Sequence, residues 1–218
     1  MEEFTYRRAT SADAEFVADI IIEAEKSMTG RNGLARYFEL NDEEFKRCVI
    51  DILMEEEDGC EFSLSSFILA IHQGQPVAGM GGWLEGKDGL SSSIIKSNLI
   101  GYYFPRENVV RSREKQIIVK DIQIPREPGT YQLEYAYVKP EYTGYFLFND
   151  LDERHIEYAM TLTPKPTKVQ SHVFASNKIV LKLHRLMGFE VIKSYHSNHP
   201  LTKEYYPDDT VLLIEKIL

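Results

Sequence analysis

The 218-residue sequence predicts a single α/β domain, α+β in layout, with a central mixed, mostly antiparallel sheet of about seven strands flanked by helices. Three observations predict it. Apolar residues recur at helical spacing in some stretches and in extended, β-branched runs in others. Those stretches follow one another as β-α-α-β-β, a less regular segment, then β-α-β-α-β-β, which is the order of a mixed layered structure. A composition of 43% apolar and 27% charged residues, without internal repeats, is enough for one sizeable core.

Taken in order, "FTYRRA" reads as a first strand, and Thr10 with Asp13 gives a capping-box-like start to a helix. Phe16, Val17, Ile20, Ile21 and Ala24 then form one buried stripe. "MTGRNGLARY" breaks the pattern with two glycines. Asn41 with Glu44 caps a second helix, whose Phe45, Cys48, Val49, Ile52 and Leu53 share a face, so Cys48 belongs to packing rather than chemistry. Two apolar runs flanking Gln73-Gly74-Gln75 signal a hairpin. Residues 86–130 are less regular and read as a partly helical insertion rather than a separate domain. "TYQLEYAYVKP" is aromatic and β-branched, a strand. "NDLDERHIEYAMTL" is a helix, "KVQSHVFAS" a strand, and Asn177 to Met187 a helix closed by Gly188. "FEVIKSYH" and "TVLLIEKIL" are the last two strands.

The formal net charge is −9, with acidic clusters at "NDEEF" and "MEEEDG" and an acidic start, "MEEFTYRR". No basic face of the kind that holds nucleic acid is visible. No apolar run approaches the roughly 20 residues that cross a bilayer, so no membrane segment or signal peptide is expected. Cys48 and Cys60 have neither metal nor disulfide spacing, which points to a reducing, cytoplasmic location. His196 and His199 stand three apart in a loop without further ligands, so no metal site is expected. The acid excess suits a cationic partner such as an amine, or simply a solvated surface.

Four segments together carry a resemblance. "YAYVKPEY" is similar to a strand exit of the form V-x-P-x-Y, and the loop and helix after it hold the place of a pyrophosphate site. "ASNKIVLKLHRLMGF" is similar to A-S-N…L-Y-x-K-x-G-F. "YYPDDTVLLIEKIL" is similar to a tyrosine pair before a last apolar strand. In this order they resemble the GNAT superfamily of N-acetyltransferases, over residues 1–85 and 131–218, and they imply the GNAT (acyl-CoA N-acyltransferase) fold. The resemblance implies transfer of an acetyl group from acetyl-CoA to a primary amine of a small molecule or peptide. It further implies a gap between the fourth and fifth strands for the pantetheine arm, with Val138 and its neighbours bonding it. The pyrophosphate would rest on the loop Thr143, Gly144, Tyr145, Phe146, Leu147, Phe148 and on the helix N-terminus behind it. Asn177 matches the asparagine that contacts pantetheine, and it also suits a helix N-cap.

The loop departs from the resembled pattern, Arg/Gln-x-x-Gly-x-Gly/Ala. Thr143 stands at the cationic or amide position, and Phe146 and Phe148 at the two small ones. Side chains there are expected to stand between amides and phosphates. Asp150, Asp152 and Glu153 would add charge repulsion at the helix start. Weakened, not absent, acetyl-CoA binding is therefore expected. Alternation along the fourth strand puts Glu134 on one face with Gln132, Ala136 and Val138, making it the candidate general base. His184 falls where the family's tyrosine protonates the leaving thiolate, and an unperturbed imidazole is roughly a quarter protonated at pH 7. Tyr205, Tyr206, "GRNGLARYFEL" and the 86–130 insertion would wall the acceptor side. Two other readings remain at this point: a non-catalytic GNAT-fold binding or interaction module, and an acyltransferase that grips its cofactor mainly through pantetheine. No motif names the acceptor or an oligomeric state.

Overall fold

The computed structural model describes residues 3–55 and 57–218; Met1, Glu2 and Glu56, which belong to the acidic stretches noted above, lie outside the described residues. The strands are β1 Thr5–Arg8, β2 Phe67–His72, β3 Gln75–Leu84, β4 Tyr131–Val138, β5 Lys168–Phe174, β6 Glu190–His196 and β7 Thr210–Ile217. They form one seven-stranded sheet in the order β1-β2-β3-β4-β5-β7-β6. Every neighbouring pair is antiparallel except β4 and β5. A parallel pair needs a crossover, and the helix α6, Leu147–Ala159, lies in the connection that supplies it. The predicted mixed, mostly antiparallel sheet is what forms.

Helices α1, Ala14–Lys26, and α3, Asp42–Leu53, cover one face. Both starts follow the expected capping boxes, Thr10 with Asp13 and Asn41 with Glu44, although a 3-10 turn, Ser11–Asp13, precedes α1. Val17, Ile20 and Ile21 of α1 and Phe45, Val49, Ile52 and Leu53 of α3 are buried; Cys48 is half-buried beside them. The supposed break at 28–37 contains a short helix, α2, Gly33–Tyr37, because Asn32 Oδ1 accepts from the Ala35 amide at 3.0 Å. Gly33 is needed for close approach rather than for a turn: a Cβ there would lie 2.1 Å from the Tyr205 carbonyl oxygen. The hairpin turn is Gln73-Gly74, both at positive φ, and Gln75 already belongs to β3.

Between β3 and β4 the chain forms α4, Ser92–Tyr103, and α5, Arg106–Val119. Polar contacts anchor α5 to the end of α2. Asn108 Nδ2 donates to the carbonyls of Phe38 and Glu39, at 2.8 and 3.1 Å, and Lys115 Nζ donates to the Tyr37 carbonyl at 2.7 Å.

On the opposite face α6 buries Leu147, Leu151 and Ala159 against the sheet. Its His155 reaches the backbone of β3: Nε2 lies 2.9 Å from the Met80 carbonyl, and Nδ1 lies 2.8 Å from the Tyr131 hydroxyl. With the proton on Nε2, both ring nitrogens are satisfied. Burial pushes the imidazole down to about 4, so His155 is neutral at pH 7. This approach requires Gly82, where a Cβ would meet His155 Nδ1 at 2.6 Å and the Tyr131 ring at 2.9 Å. Gly82→Ala is expected to destabilise the protein by about 1–3 kcal/mol, the usual cost of overpacking a core. A urea unfolding midpoint unchanged from wild type would show that α6 does not depend on that space.

Candidate active site

β4 and β5 pair only through Tyr131–Leu133 and Val169–Ser171. Beyond Leu133 they separate, and β4 continues on β3 alone. The separation is accompanied by a bulge. Met80 faces Ala136 and Gly81 faces Glu134, leaving Tyr135 unmatched at φ +52°, a left-handed conformation that side chains rarely adopt. The gap is a cleft of about 150 Å³, and Leu133, Glu134, His172, Asn177 and His184 are among its walls. The end of α1 closes one side with Glu25 and Ser27.

The loop after β4 approaches this cleft through Phe148. Thr143 and Tyr145 donate their amides back to Pro140 and Tyr142, at 3.2 and 3.4 Å. The amides of Gly144, Phe146, Leu147 and Phe148 meet no acceptor among the described residues. Phe146 sits at φ +61° and ψ 17°, the conformation in which glycine is at ease, and its ring is 75% exposed. Phe148 packs inward, its ring centroid 5.2 Å from that of His184. The amides thus remain unpaired with both phenylalanines in place, because one ring is solvated and the other is part of the cleft wall. The acids do not crowd the helix start as a group either. Asp150 accepts from the Tyr6 hydroxyl, Asp152 is fully buried, and Glu153 is exposed.

The bulge corrects the expected grouping of Glu134 with Ala136 and Val138. Gln132 and Glu134 share a side and both bind Arg126, whereas Ala136 and Val138 turn to the opposite core beneath α6. Tyr135 and Tyr137 take the face on which strict alternation would have put Ala136 and Val138. Glu134 is half-buried and ion-paired to Arg126, whose guanidinium stacks 4.8 Å from the Trp83 ring centre. In a second pair, Lys96 of α4 reaches the buried carboxylate of Glu61. Burial alone would lower the Lys96 ammonium; attraction to Glu61 reverses this and holds it above its ordinary range.

Glu25 was not singled out from the sequence, where it reads as one more acid at a helix end. In the structure it accepts from the Tyr135 hydroxyl at 3.1 Å and from the Leu34 amide at 3.3 Å. Burial pushes its carboxyl up to about 7, with the nearby Glu134 charge adding to the rise. No sequence signal marks it, because the bulge that delivers the Tyr135 hydroxyl is a tertiary feature.

His184 is 4% exposed and lies between the rings of Phe148 and Phe189. Asn177 caps its helix, α7, Lys178–Leu186, with Oδ1 accepting from the Val180 amide at 3.2 Å, while also lining the cleft. Tyr206 is stacked on Phe174, its hydroxyl pushed up to about 12 by burial, and Tyr205 packs on Tyr37. Among the described residues no group of three His, Cys, Asp or Glu side chains could hold a metal ion. Nor is any helix among them long and apolar enough to cross a membrane.

No family profile and no curated protein matches the sequence. Solved structures do. An N-acetyltransferase from Staphylococcus aureus Mu50 superposes with a TM-score of 0.68 at 12% identity, covering 97% of this chain and 100% of its own. An acetyltransferase of the GNAT family from Streptococcus pneumoniae gives 0.53 at 16%, covering 99% of both chains. The chain has the GNAT fold. A third structure, yncA from Salmonella typhimurium with its cofactor acetyl-CoA, gives 0.56 at 12%, covering 99% of this chain and 94% of its own. On the GNAT frame the strand gap lies where the sequence resemblance placed it, between β4 and β5.

Glu25 makes folding stability pH-dependent in a defined direction. Its folded-state carboxyl titrates at about 7, above the ordinary 4.5, so between these values the folded protein holds more protons than the unfolded chain. Stability therefore falls as pH rises through that window. Glu25→Gln removes the contribution, so its stability relative to wild type should improve from pH 5 to pH 8. Urea unfolding at both values checks this, and an unchanged difference would refute the raised Glu25 carboxyl.

Proposed function

We propose that the protein is an acetyl-CoA-dependent N-acetyltransferase, intracellular, that acetylates a primary amine on a small molecule or peptide. One observation carries the proposal: a single cleft at the β4–β5 separation has unpaired amides at its edge and Glu25, Glu134 and His184 in its walls. The residues present fit the co-substrate. The four free amides and the start of α6 offer donors and a favourable dipole to a pyrophosphate. The β5-facing backbone of β4 from Glu134 to Val138 is available to an extended pantetheine arm, with Asn177 across the gap.

Acetyl-CoA supplies an activated thioester carbonyl. The chain's own task is to manage two protons. An amine arrives mostly as ammonium, and the acidic cleft wall attracts that form. Glu25, titrating at about 7, is matched to accept the ammonium proton near neutral pH. Glu134, committed to Arg126, is suited to orienting the cation instead. His184 is placed to return a proton to the sulfur that leaves.

Calorimetric titration with acetyl-CoA should give micromolar binding, about −8 kcal/mol. Absence of heat up to millimolar ligand, with the fold intact, would turn the protein into a non-catalytic relative. Once an amine acceptor is found, Glu25→Gln should lower kcat/KM by about 10²–10⁴-fold. It should also abolish the acidic limb of the pH profile near 7. A silent Glu25→Gln beside a crippled Glu134→Gln would return the base role to Glu134.

A further inference from the structure

We infer that Asp152 is the positioning residue for His184, holding the ring with its proton on Nδ1 and leaving Nε2 for the cleft. The role of that ring in the reaction rests on the function proposed above; the pairing itself does not. Asp152, on α6, is fully buried, and neither of its carboxylate oxygens has a donor among the described residues. His184 Nδ1, on α7, is likewise buried without a partner. The two orphans face each other, Nδ1 lying 3.6 Å from Asp152 Oδ2. That separation is just beyond a hydrogen bond, and a small side-chain rotation closes it. A buried carboxylate without a donor costs more than almost any other polar defect, so the nearest N–H is strongly favoured.

Among the described residues no other donor is hydrogen-bonded to Asp152. His155, one turn along α6, commits both nitrogens to Met80 and Tyr131. Asp150 is taken by Tyr6, and Arg8 lies over the Tyr158 ring. On α7, Lys178, Lys182 and Arg185 are exposed. The rings of Phe148 and Phe189, with centroids 5.2 and 4.7 Å from the imidazole, restrict its swing and keep Nδ1 towards Asp152, so the Asp152 contact sets which nitrogen carries the proton.

The consequence for transfer is simple. The ring takes a proton from solvent at Nε2, passes it to the leaving thiolate sulfur, and returns to the neutral Nδ1–H form. One N–H bond breaks, one S–H bond forms, and the imidazolium charge cancels that of the thiolate.

Nitrogen-15 NMR of histidine-labelled protein tests the pairing without any substrate, with His184 assigned from its missing signals in His184→Gln. Wild type should show the Nδ1–H tautomer at high pH. Asp152→Leu, which fills the space but accepts no hydrogen bond, should shift the ring towards Nε2–H; Asp152→Ala, which also offers no acceptor, should give the same shift should the first fail to fold. A wild-type ring already in the Nε2–H form, or a tautomer unmoved by Asp152→Leu, would overturn the inference. In an active enzyme Asp152→Leu should lower kcat by about 10²-fold with the KM for acetyl-CoA within about twofold. A tautomer shift in a protein that transfers no acetyl group would uphold the pair while removing the proposed function.

Discussion

The site depends on one backbone event, the bulge at Tyr135. An extra residue in β4 bends the strand and increases its twist at the point where its pairing with β5 ends. A left-handed tyrosine is unfavourable by itself, by roughly 1–2 kcal/mol. Two contacts offset that cost: the ring stacks on Phe62, and the hydroxyl donates to Glu25. The same event therefore opens the cleft, reverses the faces of Ala136 and Val138, and ties a carboxylate of α1 to the strand that lines the cleft. Local strain and function meet at one residue, as is common where surrounding structure over-determines a backbone conformation.

The electrostatics of the cleft are a second consequence. Three carboxylates, Glu25, Glu61 and Glu134, stand near Lys96 and Arg126, and both cations come from the chain between β3 and β4. That segment is thus part of the site's charge balance, although none of its residues lines the cleft. Buried pairs of this kind add little net stability, since desolvation cancels much of their attraction. What they do is hold Glu134 in an ion pair while Glu25, which has no ion pair among the described residues, titrates at about 7. Two acids a few residues apart in space acquire different chemistry from their neighbours alone.

The loop carries a related lesson about side chains and backbone. Phenylalanine at a glycine position looks prohibitive when only the amides it could cover are considered. Phe146 nevertheless takes the glycine-like conformation, and Phe148 becomes the aromatic wall beside His184. What matters is the direction in which the chain aims each ring, which residue identity does not specify.

The sequence by itself determined the seven strands, the capping boxes of α1 and α3, the hairpin at Gln73-Gly74 and the Asn177 cap of α7. Each follows from hydrophobic period or from a local hydrogen bond within about four residues. Of the residues read from local motifs, Phe148, Asn177 and His184 line the cleft at the β4–β5 separation, whereas Val138 packs into the core beneath α6. Tertiary structure alone decided the faces of Ala136 and Val138, since one bulge shifts every later residue of the strand to the other side. It alone brought Glu25 to Tyr135, 110 positions away in the chain, and Asp152 to His184 across two helices. A carboxylate acquires its proton affinity from what surrounds it after folding, and those surroundings are not adjacent in sequence.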